Sequence, residues 1–109
     1  MKGKKKILTE EILQEIVRRI VAAVQPEKII LFGSAAREEM EPDSDLDLLV
    51  IKSCNDRRKT ARRIRRRLLG IGVPKDIIVA TPEDLERYKD TIGLIYRPAL
   101  KEGKVLYAA

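Results

Sequence analysis

Leu-Phe-Gly-Ser-Ala-Ala-Arg-Glu-Glu-Met-Glu-Pro-Asp-Ser-Asp-Leu-Asp-Leu-Leu-Val, residues 31–50, holds a glycine-serine step and a paired aspartate motif separated by ten residues. Before the step, Lys28 to Phe32 is short, rich in β-formers and bounded by Pro26 and Gly33, the pattern of a buried strand. After it, Ser34 to Met40 reads as a short helix. Glycine at such a junction permits a tight turn and close backbone approach, and a helix start offers unpaired N–H groups to an anion. By itself a Gly-Ser pair is an ordinary helix cap. Pro42-Asp43-Ser44 is a turn cluster, and Leu46 to Ile51 forms a second apolar strand entered through Asp45 and Asp47.

Residues two apart on a strand share a face, so Asp45 and Asp47 project together while Leu46 and Leu48 enter the other face. Two adjacent carboxylates repel each other, and a divalent cation reverses that effect. Oxygen donors alone favour Mg²⁺ or Mn²⁺ held jointly with substrate phosphates. A lone Asp-x-Asp is otherwise a solvated turn ahead of a strand. Asp76 opens a third strand, Asp76 to Ala80. If that strand lies beside Leu46 to Ile51, a third acid reaches the same edge, as a metal ligand or a base; otherwise it is a surface acid.

Outward from this centre, Thr9 caps a helix whose apolar face is Ile12, Leu13, Ile16, Val17, Ile20, Val21 and Val24, ended by Pro26. Asp56 to about Leu69 is helical, with Ala61, Ile64 and Leu68 inward, and Gly70, Gly72 and Pro74 terminate it. Thr81-Pro82-Glu83-Asp84 is a helix start. One or two short helices follow to Lys101, with Pro98 disturbing the register, and Lys104 to Tyr107 forms a small strand. Residues 1–8 are a basic leader, and residues 9–109 a single domain.

Composition restricts the chemistry. At 109 residues there is no room for a second, substrate-binding domain. Histidine is absent and Cys54 stands alone, which removes an internal disulfide, a structural zinc site and every Ser-His or Cys-His nucleophile. Catalysis must then rest on carboxylates and metal ions. Apolar runs are too short for a transmembrane helix, so the expected location is cytoplasmic. The net charge of +6 favours polyanions or an acidic partner. Arg57, Arg58, Arg62, Arg63, Arg65, Arg66 and Arg67 concentrate that charge on one helix. With no interleaved aromatics they read first as a solvated face, and second as a patch for RNA or for an acidic surface.

Residues 31–50 resemble the signature of the DNA-polymerase-beta-like nucleotidyltransferases, and most of all the minimal nucleotidyltransferase antitoxins paired with HEPN-domain toxins. Gly33, Ser34, Ala36, Arg37, Asp45, Asp47 and Asp76 match in turn, and Ala99 to Tyr107 is similar to the family's terminal helix and strand. The position after Arg37, often glycine in such sequences, is Glu38. The resemblance implies an α/β (α+β) nucleotidyltransferase fold, with a mixed sheet of about four strands and flanking helices. It implies catalytic and metal-binding roles for Asp45, Asp47 and Asp76 with two Mg²⁺ ions, Mn²⁺ being an alternative. Gly33 and Ser34 would cradle the phosphates, and Arg37 would reach phosphate or tie the loop to a nearby acid. The expected reaction moves AMP from ATP to a tyrosine hydroxyl of a cognate HEPN RNase toxin, in a homo- or hetero-oligomer. The alternatives are transfer to a small hydroxyl compound, as in aminoglycoside nucleotidyltransferases, a binding antitoxin with a vestigial site, and an RNA-binding module.

Overall fold

The computed structural model describes residues 9–33, 36, 45–91 and 96–109. Helix α1 spans Glu10–Val24, and the Thr9 hydroxyl accepts a hydrogen bond from the Ile12 N–H at 3.2 Å. Its C-cap, Gln25, takes a left-handed φ of 48°, which turns the chain into fully buried Pro26 and strand β1, Lys28–Phe32. Strand β2, Leu46–Ile51, leads to α2, Arg57–Arg67, which Asp56 caps by accepting from the Lys59 N–H. Strand β3, Lys75–Ala80, precedes α3, Pro82–Tyr88, α4, Tyr96–Glu102, and β4, Lys104–Ala108.

The four strands form one sheet in the order β3-β2-β1-β4. β1 runs antiparallel to both β2 and β4, whereas β2 and β3 are parallel, joined through α2 as a parallel pair requires. The sheet is mixed, as expected for this fold class. Its two faces are covered separately. Ile29, Leu31, Leu48, Val50, Ile77 and Val79 pack under α1 and α2, with Ile16, Ile20 and Ile64 supplied by the helices. On the other face, Ile30, Phe32, Leu49, Ile51 and Ala80 meet Ala99 of α4, with Leu85 and Tyr96 at the margin. β2 is thus buried on both sides, which explains its nearly continuous apolar sequence.

The element boundaries differ from the sequence reading by a residue or two. β3 begins at Lys75 and β4 continues to Ala108. The inward stripe Ala61, Ile64 and Leu68 is buried, joined by Thr60. Two helices, α3 and α4, occupy the stretch toward Lys101. Pro98 sits in the first turn of α4, where the missing N–H would have had no intrahelical partner, so the helix accommodates it. The leader 1–8, the helix expected over Ser34 to Met40 and the turn Pro42-Asp43-Ser44 lie outside the described residues. Among the described residues no helix is long and apolar enough to cross a membrane.

Candidate active site

Antiparallel pairing places the end of β1 beside the start of β2, with Phe32 opposite Asp47. Parallel pairing then aligns Asp47 with Asp76 and Leu48 with Ile77. Both acids therefore stand on one face of the sheet, and Asp45, two residues before Asp47, stands at the same end. Towards the sheet centre this face continues into Leu49, Ile51 and Ala80 beneath α4. The carboxylates thus form the polar rim of an otherwise apolar surface.

Gly33 follows β1 with φ 74°, a conformation that side chains disfavour. A Cβ at this position would collide with the Asp47 carboxylate oxygen and lie 3.3 Å from its Cγ. The glycine is needed both for the turn and for the close seat of the aspartate. Asp47 is half-buried, whereas Asp45 and Asp76 are exposed. Burial raises the Asp47 carboxyl above its ordinary range, and the charges of Asp76 and Asp45 push it further in the same direction.

Among the described residues, no three acidic side chains converge tightly enough to form a metal cage on their own. The donor set still fits Mg²⁺, which prefers oxygen ligands and completes its shell with water and substrate phosphates. A half-buried carboxylate whose pKa is raised further by two neighbouring acids is the arrangement that a cation relieves. Ser34 and Arg37, assigned to phosphate contact by the sequence, lie outside the described residues.

This geometry agrees with an independent comparison: residues 10–105 match the model of the nucleotidyltransferase domain. The chain belongs to that family. As a nucleotidyltransferase domain it also has close fold neighbours among solved structures. A putative nucleotidyltransferase from Sulfolobus solfataricus superposes with a TM-score of 0.61 at 20% identity, over 90% of this chain and 78% of that one. A mutant of the toxin-antitoxin pair MntA-HpeT gives a TM-score of 0.62 at 14% identity, covering 94% of this chain and 75% of the other. A toxin-antitoxin structure with AMP-PNP gives 0.58 at 21% identity, with the same coverages of 94% and 75%. At these identities the likeness concerns the fold. No curated protein sequence matches this nucleotidyltransferase domain significantly.

Beside the acids, the domain carries contacts that sequence reading missed. Arg57 donates to the Asp84 carboxylate at 2.8 Å, joining the start of α2 to the cap of α3. Arg65 donates to the Ile77 carbonyl at 3.3 Å, next to Asp76. Two of the arginines expected on a solvated face therefore have specific partners. The available sequence signal was limited to the Thr-Pro-Glu-Asp helix start, which marks Asp84 as a capping residue.

Proposed function

We propose that the chain is a Mg²⁺-dependent nucleotidyltransferase acting as an antitoxin, moving AMP from ATP to a tyrosine hydroxyl of a cognate HEPN RNase toxin. The observation carrying the reading is the alignment of Asp47 with Asp76 beside Gly33. Membership of the nucleotidyltransferase family supports the reaction class. The fold neighbours that are toxin-antitoxin structures, one of them with AMP-PNP, support the adenine nucleotide and the protein acceptor. A cytoplasmic setting, where ATP is abundant, suits the same reading.

In this scheme Gly33 and Ser34 cradle the triphosphate, and Arg37 supports the loop or a phosphate. Asp45 and Asp47 hold the metal ions, and Asp76 completes the site as a further ligand or as the base. Bound Mg²⁺ supplies neutralisation of phosphate charge and lowers the pKa of the attacking hydroxyl. The acceptor oxygen attacks the α-phosphorus and forms a new P–O bond. The bond to the bridging oxygen of the β-phosphate breaks, pyrophosphate leaves with that electron pair, and the hydroxyl proton passes to Asp76 or to solvent.

The direct test replaces Asp45→Asn together with Asp47→Asn and follows Mg²⁺-dependent transfer of labelled AMP onto the partner. Labelling should disappear while the circular dichroism spectrum and melting transition remain those of a folded domain. Undiminished labelling by the double variant would overturn the mechanism. Neutralisation of the partner by the same variant, without labelling, would instead identify a contact-only antitoxin.

A further inference from the structure

An open groove runs between α2 and the edge strand β3, lined by Arg58, Arg62 and Arg65 on the helix and starting at Asp76 on the strand. We infer that this groove binds an extended acidic peptide segment of the acceptor protein and thereby delivers the acceptor hydroxyl to Asp76. The inference rests on the nucleotidyltransferase reading and adds to it the surface that recognises the acceptor.

The direction of the groove follows from its two fixed ends. Arg65 reaches the Ile77 carbonyl, whereas Arg57 reaches Asp84 just beyond the end of β3, so α2 runs opposite to the strand. Arg62 and Arg58 lie between those ends. Arg57 and Arg65 are engaged by their partners, but Arg58 and Arg62 are exposed and carry no ion pair among the described residues. Two cationic heads are thus left facing one channel that leads to a catalytic acid.

The backbone narrows the choice of occupant. The Pro74 and Ala80 carbonyls accept from the Leu46 and Lys52 N–H groups, so alternate residues of β3 face β2. Ile77 and Val79 consequently turn their backbone groups toward the groove, and Arg65 occupies the Ile77 carbonyl. That bond obstructs simple addition of another strand at this edge. Recognition then falls to side chains. Arg58 and Arg62 are one helical turn apart, roughly 6 Å along the axis. Acidic residues two apart on an extended peptide are separated by roughly 6.5–7 Å and match that spacing. Ala61 and Ile78 also line the groove, and among the described residues no aromatic ring lines it on which a base could stack. Peptide is therefore favoured over RNA.

The test uses the full chain and a fluorescent peptide in which glutamate alternates with alanine behind a single tyrosine. Arg58→Glu with Arg62→Glu should weaken its binding at least tenfold by fluorescence anisotropy. Arg63→Glu with Arg66→Glu removes the same charge from α2 outside the groove and should weaken it less than threefold. A single-stranded oligoribonucleotide of equal charge should bind more weakly than the peptide. Equal losses in the two double variants, or tighter binding of the oligoribonucleotide, would overturn the proposal. If the glutamate pair does not fold, Arg58→Gln with Arg62→Gln provides the same comparison at lower charge cost. A separate melting experiment with Mg²⁺ and ATP reports on the catalytic reading. A ligand-induced rise in Tm without peptide binding removes the groove and keeps the enzyme, while peptide binding without that rise does the reverse.

Discussion

Gly33 and Asp47 act as one unit at the rim of the sheet. Alanine at position 33 would have to hold φ 74° and place its methyl group on the Asp47 carboxylate. The backbone term alone is about 1–2 kcal/mol. Gly33→Ala should therefore lower the unfolding free energy by at least that amount in urea titration and reduce nucleotidyl transfer further by displacing Asp47. A variant with unchanged stability would show that the turn relaxes freely. Asp47 itself makes a complementary prediction. Its folded-state pKa is raised, so ionisation opposes folding above the ordinary carboxylate range, and the penalty vanishes when low pH protonates the group. Without metal at neutral pH, Asp47→Asn should melt at the same temperature as the parent or higher, with the difference closing on acidification. A lower Tm for the variant would mean that Asp47 supports the fold by a contact other than charge.

Among the elements, the junction of α2 and α3 depends on Asp84. Its carboxylate accepts from the Thr81 N–H at 3.0 Å, the Thr81 hydroxyl accepts from the Asp84 N–H, and Arg57 arrives from the other helix. The Thr81 N–H chiefly, with Thr81 and Arg57 side chains assisting, holds the Asp84 pKa below its usual range against the opposing effect of burial. The resulting stabilisation is complete above the unfolded-state pKa and is lost as pH falls through the lower folded value. Asp84→Ala should cost about 1 kcal/mol, the usual worth of a helix cap, at neutral pH and less in acid. Equal losses at both pH values would contradict this linkage. The cap was legible because Thr81, Pro82 and Asp84 are neighbours in sequence. Its tie to Arg57 was not, because an arginine on a helix reveals nothing of which distant element will meet it. The same holds for Arg65 and the Ile77 carbonyl. By contrast, the short interval between Asp45 and Asp47 brought both acids to one end of β2 locally, and only the alignment of Asp76 with Asp47 required knowledge of the strand pairing.

For the whole molecule, β2 transmits stability between two apolar layers. Leu48 packs beneath α1 and α2, while Leu49 faces the α4 side, and both are completely buried. Truncating either to alanine should remove about 2–5 kcal/mol, a large part of the stability of a small domain. Since both layers share one sheet, each variant should still unfold in a single transition, with far-ultraviolet circular dichroism and tyrosine fluorescence coincident in urea. Separate midpoints for the two probes would show that the layers unfold independently. The two-layer arrangement was partly readable from the apolar run Leu48–Ile51 in β2. The assignment of α1 and α2 to one face and α4 to the other was not, since amphipathic helices do not name the surface that they cover.

The parallel ladder between β2 and β3 makes the spacing of Asp47 and Asp76 a counted quantity rather than a continuously adjustable one. Lengthening the connection before Lys75 leaves the pairing free to re-form, whereas a single deletion beyond Asp76 inside β3 reverses the faces on one side of the cut, so that either Asp76 or the apolar residues after it lose their side of the sheet. Natural or designed variation in this protein can therefore be generous in loop length and must respect parity inside the strand.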